Sequence, residues 1–254
     1  MRRGLAGALL LLCLAAPAMA ASLAESCAAP AALVRLHGSL ARTALRLARH
    51  EAITIVAVGS SSTTGFGASD PARTYPSQLA AELRRRLPGE RIAVMNEGVN
   101  GETAAQMLAR FDRDVLAFRP DLVIWQVGTN AVLRDHDVAA DQDMIRRGVE
   151  RLKTAGADVV LMDMQFAPMV TAHARYRAME QGLAEIGKQE GIPVFRRFAL
   201  MQHWVEAGQL TPATMLAPDG LHMNDLSYGC IGRLLGDAIL ERAQAGSSLA
   251  TSRP

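Results

Sequence analysis

The sequence predicts an α/β fold, a three-layer αβα sandwich with a five-stranded parallel sheet at its centre. Short, continuously apolar segments alternate with longer segments whose apolar residues recur at helical spacing. Strands buried on both faces have this composition, and the longer segments supply the helical crossovers that parallel strands require. Right-handed crossovers place helices on both faces of the sheet. The chain has 254 residues, half of them hydrophobic, which is enough for one domain with a sizeable core.

The strands are predicted where apolar runs stop at glycine or at polar residues. They cover residues 53–58, 91–95, 122–127, 158–162 and 192–195. The helices are predicted from apolar spacing and from glycine or proline at their ends, over residues 33–49, 75–87, 103–111, 138–154, 172–190 and 226–243. No repeat or linker interrupts residues 30–243, which are predicted to form a single domain. The polar residues 244–254 are expected to be a disordered tail.

Residues 1–20 have the pattern of a secretory signal peptide. Arg2 and Arg3 precede an apolar run over 5–16, and the small residues Ala18 and Ala20 follow it. The run is short for a membrane span, so we expect cleavage, export to the periplasm or the exterior, and no stable membrane anchor. Without the two arginines, basic and acidic residues are equal in number and no basic cluster remains. This balance argues against nucleic acid as a partner.

Cleavage would leave two cysteines, Cys27 and Cys230. An even pair in an oxidising compartment can close a disulfide, which would tie the N-terminal arm to the last helix. Two buried free thiols are the alternative.

Polar loops follow the predicted strands at the sheet edge where parallel α/β folds bind ligands. A serine hydroxyl such as Ser61 becomes a good nucleophile when an imidazole takes its proton. Asp219 and His222 lie three residues apart, so a single turn can supply that base and the carboxylate that orients it. Gly101 can offer a backbone N–H, and Asn130 a side-chain amide, to the negative charge that develops on a substrate oxygen. Together these residue types indicate acyl transfer.

The same loops resemble the four motif blocks of the SGNH (GDSL-type) hydrolases. The matching residues are Ser61, Thr63 and Gly65 in the first block, Gly101, Glu102 and Thr103 in the second, Gly128 and Asn130 in the third, and Asp219 and His222 in the fourth. Two positions depart from the family pattern, because Ser60 and Ala131 each replace an aspartate. These departures concern the bracing of the first and third loops.

The resemblance implies a flavodoxin-like fold and a serine esterase without metal or cofactor, which the signal-peptide pattern makes a secreted one. Ser61 would be the nucleophile, His222 the base and Asp219 its orienting group. The oxyanion hole would consist of the N–H groups of Ser61 and Gly101 and the Asn130 amide. Since no long apolar lid segment is present, short acyl groups are expected, on a small-molecule or glycan ester. Beyond the fourth strand, a wall of the substrate pocket is predicted from Met164, Gln165 and Met169.

Other functions stay open at this point. The same site would also suit an acyltransferase. The departures at Ser60 and Ala131 would suit a carbohydrate-binding or small-molecule-binding protein without turnover. The serine-rich loop 59–65 also resembles the phosphate cradle of flavin-binding proteins, although that loop contains no lysine or arginine.

Overall fold

The computed structural model describes the backbone of residues 27–251 and the side chains of residues 27–245. The expected signal peptide, residues 1–20, therefore lies outside the described residues. Five parallel strands form one sheet in the order β2-β1-β3-β4-β5. They are β1 (Ile53–Gly59), β2 (Ile92–Gly98), β3 (Leu122–Gln126), β4 (Asp158–Met162) and β5 (Val194–Phe195). The predicted fold class is confirmed.

Helices flank this sheet in two separate groups. In chain order they are α1 (Ala31–Val34), α2 (Ala41–Ala48), α3 (Ser61–Thr64), α4 (Tyr75–Arg86), α5 (Ala104–Ala109), α6 (Phe111–Asp114), α7 (Thr129–Leu133), α8 (Val138–Thr154), α9 (Pro168–Thr171), α10 (Tyr176–Glu190), α11 (Arg197–Glu206), α12 (Pro212–Met215) and α13 (Asp225–Thr251). Short 3₁₀ turns lie at Pro71–Arg73 and Leu116–Phe118. Helix α13 packs on α2 and α4, while α8 packs on α5 and α10.

The strand register brings the polar loops to one edge of the sheet. Every residue of β3 is buried, and its neighbours β1 and β4 are almost completely buried. Gly59 at the end of β1 pairs with Gly98 at the end of β2, and Gln126 at the end of β3 pairs with Met162 of β4. The loops that follow these four strands therefore start at the same level. This is the edge at which the sequence predicts the site.

Several element boundaries differ from those predicted. The helix expected over 33–49 is divided into α1 and α2 because Gly38 adopts a φ of +111° against the backbone of residues 191–193. The helices α11 and α12 were not predicted. Helix α13 continues to Thr251, so the expected disordered tail is helical over 244–251, and residues 252–254 lie outside the described part.

A disulfide joins Cys27 to Cys230 in α13, which confirms the predicted pairing. Both cysteines are fully buried. Beside the bond, the indole N–H of Trp204 donates to the carbonyl of Ala28 at 3.2 Å. The N-terminal arm is thus fixed to the helices α11 and α13. Within the described residues, no helix combines the length and the apolarity needed to cross a membrane.

Candidate active site

Ser61 begins α3 directly after β1, in a turn that is fixed from two sides. The backbone N–H and the hydroxyl of Ser60 both donate to Oε1 of Gln126, at 2.9 and 3.0 Å. The carbonyl of Ser60 accepts from the N–H of Thr63 at 2.9 Å. A side chain on Gly59 would lie 2.1 Å from the Thr63 hydroxyl, so only glycine fits there. A neutral serine–glutamine contact therefore braces this loop where the family pattern has aspartate.

Ser61, His222 and Asp219 form a continuous chain of hydrogen bonds. His222 Nε2 lies 2.7 Å from the Ser61 hydroxyl, and His222 Nδ1 lies 2.5 Å from Asp219 Oδ2. Because the carboxylate only accepts, it fixes the imidazole proton on Nδ1 and leaves Nε2 free to accept from Ser61. The structure thus brings together the three residues that the sequence singled out.

The charge of Asp219 is stabilised by its local hydrogen bonds. Burial on its own raises the pKa of this carboxyl, but the bond from the His222 side chain and the N–H groups of Leu221 and His222 outweigh that effect. The pKa of Asp219 therefore lies below its usual value. Asp219 is therefore ionised at neutral pH and can accept the Nδ1 proton of His222.

The loop that carries His222 is closed on itself and packed against the turn after α3. Leu216 forms an antiparallel bridge with Met223, and the N–H of Ala217 donates to the carbonyl of His222 at 2.7 Å. Gly67, at a φ of +91°, comes so close to this loop that a Cβ would lie 2.5 Å from the Met223 carbonyl. This close approach is what places His222 over Ser61.

Two of the predicted oxyanion-hole donors, Gly101 and Asn130, come from the loops after β2 and β3, which are bonded to each other. Asn130 Nδ2 donates to the carbonyl of Glu102 at 2.9 Å, and the Arg134 guanidinium donates to the carbonyl of Gly101 at 2.8 Å. The N–H of Val99 donates to the carbonyl of Gly59 at 3.0 Å, which joins the β2 loop to the nucleophile strand. Since the Asn130 amide nitrogen carries two hydrogens, one is left to donate to a ligand.

Arg110, which sequence reasoning missed, braces the β2 loop from beneath. Its guanidinium is almost fully buried and donates to the Glu102 carboxylate at 2.7 Å and to the Glu97 carbonyl at 2.8 Å. It thereby spans both ends of the segment that contains Gly101. Gln126 was also missed, although a polar residue in the otherwise apolar run of β3 was a visible signal.

The residues predicted as a pocket wall separate in the structure. Met164 and Gln165 are buried, at 0% and 1% exposure, whereas Met169 is 47% exposed. The prediction is therefore wrong for Met164 and Gln165, because the chain turns inward after β4 before it reaches α9. Phe66 lies at the site instead. It is 51% exposed, and its ring centroid is 4.6 Å from that of His222.

A narrow crevice runs behind the site between the loops after β1, β2 and β3. It has no space that would hold a water molecule, and it is lined in part by Ser60, Thr103, Gly128 and Asn130. Among the side chains of residues 27–245, no group of three or more His, Cys, Asp or Glu is placed to hold a metal ion.

Residues 26–245 match the non-GDSL lipase-like family. Among curated proteins, the chain is 28% identical over 96 residues to the arylesterase of Vibrio mimicus, covering 38% of this chain and 47% of that protein. It is 34% identical over 64 residues to the acetylxylan esterase of Geobacillus stearothermophilus, covering 25% of this chain and 29% of that protein. The chain thus spans less than half the length of either relative.

Two solved structures share the fold. A two-domain esterase active on acetylated mannans, co-crystallised with mannopentaose, superposes with a TM-score of 0.71 at 22% identity, over 84% of this chain and 57% of that one. TesA superposes with a TM-score of 0.59 at 26% identity, over 76% of this chain and 99% of that one. The family match extends over nearly the whole described chain, and the fold agrees with it. The chain belongs to the non-GDSL lipase-like family, within the SGNH hydrolases.

Proposed function

We propose that the protein is an exported serine ester hydrolase that cleaves short-chain acyl esters. The observation that carries this proposal is the unbroken hydrogen-bond chain from Asp219 through His222 to the Ser61 hydroxyl, with distances of 2.5 and 2.7 Å. Such a chain is what activates a serine hydroxyl toward a carbonyl carbon. The esterases among the relatives support the same reaction class.

In the proposed mechanism, His222 Nε2 takes the Ser61 proton as Ser61 Oγ attacks the ester carbonyl. Asp219 stabilises the imidazolium that forms while remaining ionised itself. The carbonyl oxygen becomes an oxyanion and receives hydrogen bonds from the N–H groups of Ser61 and Gly101 and from Asn130 Nδ2. Each such donor contributes about 3 kcal/mol to transition-state stabilisation.

Collapse of this intermediate breaks the ester C–O bond, and His222 returns the proton to the departing alcohol. The acyl group is then bound to Ser61 Oγ. A water molecule attacks the acyl carbon while His222 takes a proton from that water. The second oxyanion accepts hydrogen bonds from the same donors. Collapse of this second intermediate breaks the bond between the acyl carbon and Ser61 Oγ, and His222 returns its proton to that oxygen as the acid leaves. The cycle therefore needs only water as co-reactant.

The packing beside the site favours a short acyl group. The crevice beside Asn130 does not admit even a water molecule, so no tunnel for a long acyl chain leads inward there. Three of the large exposed apolar side chains, Phe66, Val99 and Met169, follow the carboxyl ends of β1, β2 and β4. We propose that this apolar rim contacts the alcohol part of the substrate, for which an acetylated sugar ring is the leading candidate.

Export is supported by two features of different kinds. The first 20 residues have the pattern of a secretory signal peptide. The Cys27–Cys230 disulfide is of the kind that persists in oxidising compartments.

The first test is hydrolysis of p-nitrophenyl acetate, butyrate and octanoate by the chain without residues 1–20. We expect turnover that falls with acyl length and is abolished by Ser61→Ala. Ser39→Ala, an exposed serine before α2 at the opposite edge of the sheet, is the matched control and should retain wild-type rates. Equal rates for wild type and Ser61→Ala would refute the assignment of the nucleophile.

The natural substrate class is tested with acetylated manno- and xylo-oligosaccharides. Released acetate should appear with wild type and be absent with Ser61→Ala. Transfer of the acetyl group to an added alcohol in preference to water would identify an acyltransferase. Failure of a fluorophosphonate to label Ser61, together with absence of turnover, would identify a binding protein instead.

A further inference from the structure

Gln165 lies in the protein interior at the point where the proposed catalytic segments meet. It follows β4 by three residues and is 1% exposed, so it cannot wall an open pocket. Its side-chain amide makes four contacts with four different segments of the chain.

The amide oxygen is shared by three donors. Oε1 of Gln165 accepts from the Thr129 hydroxyl at 2.9 Å, from Nη2 of Arg197 at 3.1 Å and from the Ser62 hydroxyl at 3.4 Å. On its other side, Nε2 of Gln165 donates to the carbonyl of Leu221 at 3.4 Å. Only a side chain with both an acceptor and a donor can make this set of bonds.

Three of these partners are direct chain neighbours of the residues assigned to the reaction. Ser62 follows the nucleophile, Thr129 precedes the oxyanion-hole asparagine, and Leu221 precedes the base. We propose that Gln165 is a positioning residue that fixes the nucleophile, oxyanion and base segments relative to one another. This inference rests on the proposed esterase function and assigns Gln165 a role in that same site.

Arg197 determines which way the Gln165 amide faces. Its guanidinium is fully buried, and Nη2 donates to the Asp163 carbonyl at 2.7 Å as well as to Gln165. A guanidinium has no acceptor, so a rotated amide would direct its NH₂ group at another donor. Arg197 therefore holds Oε1 toward Thr129 and Ser62, and leaves Nε2 to face the base loop.

The test measures kcat and KM for p-nitrophenyl acetate in Gln165→Leu and Gln165→Glu. The leucine variant keeps the volume but removes all four bonds, and we expect kcat to fall about 10- to 100-fold with KM within twofold, since small misplacements of reacting groups cost this much. The glutamate variant keeps the shared acceptor but loses the donor to the Leu221 carbonyl, so we expect its kcat to lie between those of Gln165→Leu and wild type. Gln142→Leu, a glutamine on α8 bonded to the Ala178 carbonyl, is the matched control and should match wild type.

A second variant covers the case in which Gln165→Leu does not fold. Thr129→Val removes the shortest bond to Gln165 without changing side-chain shape, and we expect a three- to tenfold loss of kcat. If both single variants fold, the double variant should lose less than the product of the single losses, because both act through one contact.

The outcomes separate this inference from the proposed function. Absence of Ser61-dependent hydrolysis in the wild type would overturn the esterase proposal, and the role of Gln165 with it. Normal wild-type turnover with a Gln165→Leu kcat within twofold of wild type would overturn the role of Gln165 alone. A raised KM with unchanged kcat would also overturn it, because Gln165 would then act on substrate binding.

Discussion

Removing the Cys27–Cys230 disulfide should lower the stability of the fold by a large amount. The two residues are 203 positions apart, so the bond closes a loop that contains most of the chain. In the chain-entropy treatment, a loop of this length restricts the unfolded state by about 5 kcal/mol at 25 °C. For a domain of this size, that corresponds to a decrease in Tm of roughly 10–20 °C.

The bond can be separated from the packing of its sulfur atoms, which are fully buried. Cys27→Ala and the double variant Cys27→Ala/Cys230→Ala both lack the bond, so the difference between them measures the packing of the Cys230 sulfur alone. Thermal unfolding followed by circular dichroism gives the change in Tm, and urea unfolding followed in the same way gives the change in unfolding free energy. The reasoning is refuted if the double variant melts within 2 °C of the oxidised wild type. It is also refuted if the wild-type chain without residues 1–20, denatured in the absence of reductant, contains two free thiols.

Three further predictions address single residues. Phe66→Ala should raise KM for p-nitrophenyl acetate about fivefold, the loss of roughly 1 kcal/mol of aromatic contact, while the exposed Phe118→Ala should leave KM unchanged. Gly98→Ala should cost at least about 2 kcal/mol of unfolding free energy and most of the activity, because its Cβ would lie 2.1 Å from the Thr64 N–H nitrogen, whereas Gly89→Ala, with nothing within 4 Å, should be neutral in the same urea titration. Burial raises the pKa of Asp163 to about 7, whereas the same carboxyl in the unfolded chain releases its proton near pH 4. The stability that the retained proton contributes to the folded state is complete below pH 4 and is lost as the pH rises through 7. Asp163→Asn should therefore flatten the pH dependence of the unfolding free energy over that range, and an unchanged slope would contradict the buried proton.

The central strands and the chain of Ser61, His222 and Asp219 could be predicted because their signals are local. Apolar runs in β1, β3 and β4 need only their own composition to be recognised, and Asp219 and His222 are three residues apart. Strand β2 was predicted to end at Met95 but continues to Gly98. As an edge strand it is only partly buried, so it can include the polar residues Asn96 and Glu97, which in the sequence indicated the end of the strand.

The features that could not be predicted from the sequence depend on contacts between distant segments of the chain. The break at Gly38 follows from its approach to residues 191–193, which no local pattern shows. Helix α11 was missed because it buries Arg197 among its apolar residues and so lacks a clear apolar face. The bonds made by Gln126 and Gln165 could not be predicted, since their partners lie tens of residues away along the chain; only the polar character of Gln126 within β3 was visible.

The order of the proposed catalytic residues along the chain affects when the enzyme becomes reactive during its synthesis. Ser61 and His222 are 161 positions apart, and the fifth strand ends at Phe195, before Asp219. In a growing chain, the segments of all five strands are therefore complete before the base and its carboxylate are made. Activation of Ser61 requires the segment from Asp219 onward, so a chain truncated before Asp219 should remain unlabelled by fluorophosphonates.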